Sequence, residues 1–267
     1  MIYLGTPGRM VGISCPAEQR LSTDERYSFQ TTLEGRVKAQ VRPGGRRVWD
    51  LRLPSTSTPS EIATLAAFAN GAWGPGPFWF VSADAPVVNL LSPGAASSDL
   101  AHILFNAGAQ GGPWETPFGF AARSITNPSS ATLYWDTLVP VLPGQPVTGS
   151  AVVQGANARA GLFFYNSAGA WVATTHGARV SGSDPQRASV SGVVPEGAVS
   201  VRLFVSAEVT RASLPAITWT AQPFEWGDGQ GCEKAVVLGG QRDLIQALDN
   251  PNYGRFADYS FTVQEVG

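Results

Sequence analysis

The chain has 267 residues, of which 43% are hydrophobic and 14% are charged, with 18 basic against 20 acidic side chains. This length and apolar content suit two domains of ordinary size, each with its own core. Because the charges nearly balance, the chain has no large basic field for a polyanion, which disfavours nucleic-acid binding. The 30 glycines and 20 prolines are spread among alternating segments and favour a turn-rich β architecture.

The start of the chain and its two cysteines bear on the cellular compartment in which the protein is found. No basic start followed by an apolar core is present, and no apolar run approaches the ~18 residues of a membrane span. We therefore expect a protein that is kept in the cytoplasm until it is assembled. Cys15 and Cys232 fit two buried thiols better than a disulfide, although both lie in outer segments that could meet in space.

The first outer segment alternates apolar and polar residues. Residues 27–33 have the period of two that is typical of a half-buried strand, and Val37–Val41 continue it after Gly35. The turn at Pro43–Gly45 then predicts a partner strand at Val48–Leu53, in an antiparallel hairpin or meander.

A capped helix and a buried strand follow. Thr58 fits an N-cap, Pro59 the first helical position and Glu61 the third residue of a capping box, while Gly71 closes the helix. The next strand, Phe78–Val81, is so apolar that we expect it to be covered on both faces.

The C-terminal segment resumes the style of the first 80 residues. Residues 232–238 predict a strand and residues 242–248 a short helix or turn. Tyr259, Phe261 and Val263 alternate with polar residues, which predicts a last strand held inside a sheet.

Between these segments the sequence changes character after Asp84-Ala85-Pro86. Turn residues separate eight short β-runs, the spacing expected of a β-sandwich. They are residues 119–125, 132–135, 147–153, 160–165, 170–175, 188–193, 199–205 and 216–220, with a hairpin turn at 166–169.

We therefore expect a mainly β protein, in which a β-sandwich belt domain with one short helix is split by an inserted jelly-roll β-sandwich. The predicted boundaries are 1–85 and 224–267 for the belt and 86–223 for the insert.

Longer stretches resemble known families. VPVLPGQPVTGSAVVQG, AGLFFYNSAGAWVATT and VPEGAVSVRLFVS resemble carbohydrate-binding modules of the jelly-roll type. GAWGPGPFWFVSADAPVVNLL and RFADYSFTVQEVG are similar to minor tail proteins of long-tailed actinobacterial phages, and the split layout is similar to the distal tail protein.

The resemblance implies a structural virion protein of the tail tip, not an enzyme, that is assembled in the host cytoplasm. It implies a ring of six copies, or alternatively three, that joins the tail tube protein to tail-tip hub proteins, with host cell-wall glycan as a further candidate partner. A carbohydrate-binding protein unrelated to phage is the alternative, although such a protein working outside the cell should carry a signal peptide. A glycan hydrolase is the third reading and needs two converging carboxylates.

The residues give no catalytic signature and imply no cofactor. His102 and His176 lack partners at metal-ligand spacing, so we expect no metal and read both as surface or turn residues. The sequence also has no nucleophile elbow and no phosphate-binding loop.

Aromatic residues are the better candidates, because sugar rings stack their C–H faces on Trp and Tyr. Trp114 follows Gly111-Gly112-Pro113, which predicts a loop where its ring is either a stacking platform or part of the core. For Trp135, Phe163 and Phe164 the core reading is favoured. The predicted glycan-binding residues are Trp114, Phe118, Arg123, Asp136 and Trp171, with Asn127, Arg159 and Tyr165 as further candidates.

Overall fold

The structure is a computed structural model. It describes residues 1–23, 27–32, 34–41, 46–54, 57–104, 108–115, 121–128, 130–180, 184–246 and 256–266.

Strands dominate the described chain. The helices are α1 (Pro59–Ala69), α2 (Ala85–Val88) and α3 (Pro93–Ala96), with a 3-10 turn at Leu100–His102. The strands are β1 (Ile2–Thr6), β2 (Arg9–Ile13), β3 (Glu18–Thr23), β4 (Tyr27–Thr31), β5 (Val37–Val41), β6 (Arg47–Leu53), β7 (Phe78–Val81), β8 (Ile103–Leu104), β9 (Gln110–Glu115), β10 (Ala121–Thr126), β11 (Leu133–Trp135), β12 (Val139–Pro140), β13 (Pro146–Gln154), β14 (Ala160–Tyr165), β15 (Trp171–His176), β16 (Gln186–Val193), β17 (Ser200–Val205), β18 (Arg211–Thr218), β19 (Cys232–Gln246) and β20 (Phe256–Glu265).

The chain divides into two compact units. Unit 1 comprises Met1–Ile2, Gly12–Phe80 and Glu233–Gly267, and unit 2 comprises Tyr3–Val11 and Val81–Cys232. Residues 3–11, 81–85 and 224–232, which the predicted boundaries assign to the belt, thus group with unit 2. The domain boundaries themselves stay a prediction.

Unit 1 is built on a sheet in which β7, β19, β20, β6 and β3 are neighbours in that order. The final strand, β20, pairs with β19 on one side and β6 on the other, as predicted for a strand held inside a sheet. Strand β7 is buried at all four positions, as predicted.

Two predictions for unit 1 are wrong. Strand β5 pairs with β4 in a separate two-stranded ribbon, while β6 pairs with β3 and β20, so the hairpin lies around Gly35 and does not join β5 to β6. Residues 242–246 continue strand β19 opposite β20 instead of forming a helix, because cross-strand pairing overrides a weak local preference. Residues 247 and 248 lie outside the described part of the chain.

Helix α1 has the predicted capping box. Thr58 Oγ1 accepts from the Glu61 amide, and Glu61 Oε2 accepts from the Thr58 amide at 2.8 Å. Leu65 and Phe68 are buried, and the Phe68 ring meets Phe78 of β7 edge-on with ring centroids 4.9 Å apart. The apolar face of the helix therefore packs against the sheet of unit 1.

Unit 2 is a jelly roll by its strand order. One sheet runs β16-β13-β18-β10-β9 and the other β15-β14-β17-β11-β8. From β10 to β18 the chain crosses repeatedly between the two sheets, with β11 and β12 together in one sheet and β14 and β15 as a hairpin within it. Two packed antiparallel sheets connected in this way are typical of a jelly roll. The core between the sheets includes Trp135, Leu162, Phe164, Leu203 and Ile217, all at 0% exposure. Each of the eight predicted β-runs overlaps a strand, but the last one lies at Arg211–Thr218 instead of 216–220, and residues 119 and 120 of the first lie outside the described chain. The turn at 166–169 is closed by the Asn166 amide, which donates to Ala170 O.

The predicted fold class, mainly β with an inserted jelly roll, is confirmed. No helix in the described ranges is long and apolar enough to cross a bilayer. Both cysteines are thiols, but Cys15 is exposed, so the prediction that both are buried is wrong for that residue and holds for Cys232.

Candidate functional site

The outer face of the sheet β15-β14-β17-β11-β8 carries most of the aromatic side chains of unit 2 that are not in the core. Side chains alternate between the two faces of β14. Leu162 and Phe164 point into the core, and Phe163 and Tyr165 point to the outer face. In β17, Leu203 likewise lies in the core, and Arg202 and Phe204 take the outer face.

The strand register arranges these residues in rows across the sheet. In one row Tyr134 pairs with Phe204, Phe204 with Gly161, and Gly161 with His176. The next row contains Arg202, Phe163 and Thr174. A third contains Ser200, Tyr165 and Trp171. We call the surface formed by Tyr134, Phe163, Tyr165, Trp171, Arg202 and Phe204 the aromatic face.

Stacking orders the centre of the aromatic face. Phe163 and Phe204 are stacked with ring centroids 4.3 Å apart, and Tyr134 is stacked on Phe163 at 5.7 Å. The Phe204 ring occupies the space where residue 161 would have a Cβ atom, so this packing requires a glycine there. Offset aromatic pairs at these distances are mutually stabilising, which keeps the rings in place before any ligand arrives.

Trp171 stands at the edge of the aromatic face and is 61% exposed. Its indole Nε1–H donates to Thr174 Oγ1 at 2.9 Å, which fixes the orientation of the ring. Together with Tyr134, Phe163, Tyr165 and Arg202 it lines an open depression of about 420 Å³. Exposing an ordered tryptophan has a hydrophobic cost, so this ring is a candidate for ligand contact.

Polar groups border the rings. Arg202 lies over the Tyr165 ring, with Cζ 5.4 Å from the centroid, and its Nη2 donates to the Asp136 backbone oxygen at 3.3 Å. The Asp136 carboxylate faces His102 Nδ1 at 3.1 Å. Burial acts to raise the pKa of Asp136, but the hydrogen bond and charge of His102, with help from Thr137 and Arg202, hold it below its usual value.

The opposite sheet is covered by the chain itself. Trp114 lies with Val152 and Leu214 in a buried cluster, and Trp226 of the return segment 221–231 packs against that cluster. Arg211 lies over the Trp114 ring, its Cζ 5.6 Å from the centroid. The two outer faces therefore differ, because the return segment covers the Trp114 ring of one, and the other presents the exposed Trp171 beside half-buried rings.

The structure distributes the predicted glycan-binding residues over several places. Trp171 is on the aromatic face and Asp136 borders it. Trp114 lies in strand β9, so the predicted loop placement is wrong. Its ring is only 8% exposed because the return segment covers it. Arg123 is on β10 of the opposite sheet, 3.8 Å from Asp99, and Phe118 lies outside the described residues. That any of them binds a glycan stays a prediction.

The further candidates also separate. Tyr165 is on the aromatic face, whereas Asn127 is buried and donates to the Ala131 and Val209 backbone oxygens in a structural role. Arg159 precedes β14, where its amide donates to Ser206 Oγ. Trp135 and Phe164 are core residues as predicted, but Phe163 is not, because alternation places it on the opposite side of β14.

Sequence reasoning missed Tyr134, Arg202 and Phe204. The available signal was the two-residue period of a strand. This period places Phe163 and Tyr165 on one face of β14, and Arg202 and Phe204 on one face of β17. His102 also acquires the carboxylate partner Asp136, which is 34 positions away and invisible to local spacing. Across the described residues, no cluster of three metal-ligating side chains is present.

Among known proteins, solved structures are similar to parts of this chain. No family model matches the chain, and no curated protein matches its sequence. A tailspike protein 4 enzymatically active domain of bacteriophage CBA120 is similar over 51% of this chain and 22% of its own, with 12% identity and a TM-score of 0.40. The carbohydrate-binding module CBM6cm-2 of Cellvibrio mixtus lichenase 5A, in complex with cellotriose, is similar over 45% of this chain and 93% of its own, with 14% identity and a TM-score of 0.31.

A third solved structure contains the CBM22-1 and GH10 modules of Clostridium thermocellum xylanase 10B complexed with xylohexaose. It is similar over 53% of this chain and 28% of its own, with 14% identity and a TM-score of 0.35. The jelly-roll arrangement of unit 2 follows from its strand order.

Proposed function

We propose that this protein is a structural component of a phage tail tip, of the distal-tail type, whose unit 2 binds host surface glycan through the aromatic face. The observation that carries the binding role is the contrast between the two sheets of unit 2. On one outer face the Trp114 ring is covered by the return segment, whereas on the other Trp171 is exposed and Tyr134, Phe163 and Tyr165 are half-buried.

The chemistry of the aromatic face suits a sugar chain. Aromatic rings offer apolar platforms for the C–H faces of sugars, and Arg202, Thr174 and the tyrosine hydroxyls supply hydrogen bonds to hydroxyl groups. Measured across the strands, Trp171 on β15 and Tyr134 on β11 are three strand spacings apart, or about 14 Å. A surface of this length fits an oligosaccharide better than a single sugar.

The binding role is tested by titrating the intact chain with cell-wall polysaccharide of an actinobacterial host. We expect saturable binding that Trp171→Ala weakens by about 1–3 kcal/mol, the value of a large apolar contact. Phe224→Ala is a matched control, because Phe224 is an exposed ring of the return segment and not of the aromatic face. Equal binding by both variants and the wild type would reject the aromatic face as the site.

The virion role rests on the resemblance of the outer segments and on the organisation of unit 1, which draws its sheet from both ends of the chain. In this proposal unit 1 forms a closed ring, of six copies or of three, between the tail tube protein and tail-tip hub proteins. A cyclic ring requires a heterologous interface with two different patches on each subunit. A tail-tip reconstruction tests this, and one central copy of the chain would contradict it.

A carbohydrate-binding protein unrelated to phage is the second candidate, because the aromatic face would serve it equally well. The reconstruction separates the two candidates, since only a tail protein is found in purified virions. A glycan hydrolase would need a second carboxylate near Asp136, whose own carboxylate is engaged by His102. Release of reducing sugar from a bound polysaccharide would favour that reading.

A further inference from the structure

Arg202 is the residue of the aromatic face with the most unused bonding capacity. A guanidinium has five N–H donors in a planar fork. In the described part of the chain its one hydrogen bond goes to a backbone oxygen, that of Asp136, and its Nε is buried without a hydrogen-bond partner. Buried donors in native proteins are nearly always satisfied, so an unpaired one calls for an explanation.

Arg202 has no salt bridge to a carboxylate within the described ranges. The Asp136 carboxylate, whose pKa the charge of Arg202 helps to lower, is hydrogen-bonded instead to His102 Nδ1 and Thr137 Oγ1. The remaining basic groups on this side are Arg159 and Arg179, and Arg179 pairs with Glu208 at 3.3 Å.

The other end of the aromatic face is electropositive as well. Burial lowers the pKa of His176, and the charges of Arg159 and Arg179 lower it further. The Nε of Arg159, like that of Arg202, is buried and has no hydrogen-bond partner in the described ranges. Two arginines thus flank the rings of Phe204 and Phe163 without an ion-pair partner among the described residues.

From this geometry we infer that the aromatic face selects acidic glycans, with a carboxylate or phosphate group of the ligand meeting the Arg202 guanidinium. The rings of Tyr165 and Phe163 hold the sugar, and the guanidinium fork over Tyr165 receives the anion. A fork of two parallel N–H donors matches the two oxygens of such a group, and charge-assisted bonds are the stronger kind. This inference rests on the proposed glycan-binding role and adds the substrate class.

Pairs of polymers that differ in charge test the inference. The intact protein is titrated with polygalacturonate and its fully methyl-esterified form, which share a backbone, and with a wall teichoic acid, whose anion is phosphate. We expect the wild type to bind at least one anionic polymer roughly tenfold or more tighter than the ester, since hydrogen bonds to charged groups are worth more. Tight binding of polygalacturonate assigns the carboxylate, and tight binding of teichoic acid alone assigns the phosphate.

Variants test whether Arg202 is responsible for the preference for anionic polymers. Arg202→Gln should abolish the preference for the anionic polymer, and Arg202→Lys should restore part of it, because lysine keeps the charge but not the fork. Raising the salt concentration should weaken wild-type binding and leave the residual binding of Arg202→Gln unchanged. Arg36→Gln, at an exposed position of unit 1, controls for the loss of one positive charge.

The outcomes separate this inference from the proposed function. Equal affinity for charged and esterified polymers, or an unchanged preference in Arg202→Gln, overturns the acidic class. If neutral polysaccharide binds and Trp171→Ala removes that binding, the glycan-binding role stands without the preference for acidic glycans. If none of the polymers binds, the acidic class falls, and the titration with host wall polysaccharide decides the glycan-binding role on its own.

Discussion

Phe204 of β17 lies over its strand partner Gly161 of β14, where it occupies the position of the missing side chain. We predict that Gly161→Ala pushes this ring away, disturbs the stack with Phe163, and costs about 1–3 kcal/mol of unfolding free energy through overpacking. Glycan binding should weaken as well, because the platform loses its fixed rings. Denaturant unfolding and glycan titration measure the two effects.

The matched control is Gly112→Ala, a glycine in strand β9 whose added Cβ would meet no atom within 4 Å. That variant should unfold and bind like the wild type. Comparable losses in both variants would mean that the stack over Gly161 has no special role.

Trp114 and Trp171 should respond oppositely to truncation. Trp114→Ala removes a ring packed against Val152 and Leu214 and should cost about 3–5 kcal/mol of unfolding free energy. Trp171 is 61% exposed, so Trp171→Ala should change stability by less than about 0.5 kcal/mol while it weakens glycan binding. The assignment of the two rings fails if Trp114→Ala leaves stability intact and abolishes binding.

The strands, turns and helix cap were predictable because each depends on residues close in sequence. The capping box of Thr58 and Glu61 lies within one turn, and the core run of β13 lies between two turn signals. The ribbon β4–β5 was misassigned because the turn at Pro43–Gly45 was the stronger local signal and strand partners are chosen over long distances.

The site was harder to predict, because it depends on which sheet the chain later covers. Trp114 has the sequence surroundings of a loop residue, yet Trp226, more than a hundred positions further on, closes over its cluster. Phe163 and Phe164 are adjacent aromatics, and strand pairing alone decides which one faces solvent. The His102 and Asp136 pair likewise forms only when β8 and β11 come together.

Glu61 should make the stability of unit 1 depend on pH in the acid range. Its carboxylate accepts from Ser14 Oγ at 2.6 Å and from the Thr58 amide, and these bonds lower its pKa from 4.5 to about 2. Because the folded-state pKa is below the unfolded value, the stabilisation is complete above about pH 4.5 and is lost as the pH falls towards 2. Denaturant midpoints measured across this range should decline in the wild type.

Glu61→Gln supplies the control for that titration. The neutral side chain keeps an oxygen acceptor but cannot titrate, so its stability should be lower than the wild type at pH 6 and approach it near pH 2. Parallel pH profiles for the two proteins would exclude Glu61 as the source.

Arg47 and Glu265 form the ion pair that joins the ends of β6 and β20. Arg47 Nη2 is 2.9 Å from Glu265 Oε1, and the Arg47 guanidinium also lies over the Trp49 ring. Glu265→Ala removes the carboxylate that Arg47 Nη2 contacts from a side chain that is only 8% exposed, and should cost about 3 kcal/mol of unfolding free energy.

The matched comparison for this pair is Glu18→Ala, whose partner Arg20 is 77% exposed. A surface pair of this kind should contribute less than about 1 kcal/mol. Similar losses of unfolding free energy in the two variants would show that burial of the Arg47 pair adds nothing to its contribution to stability.

The binding of glycan by the aromatic face is tested most directly by one titration series of the intact protein. Wild type, Trp171→Ala and Phe224→Ala are titrated calorimetrically with the same host wall polysaccharide. We predict saturable binding by the wild type and by Phe224→Ala, with affinity reduced roughly five- to 150-fold in Trp171→Ala, in line with the loss of one large apolar contact. Undiminished binding by Trp171→Ala, or no binding by the wild type, would contradict the account.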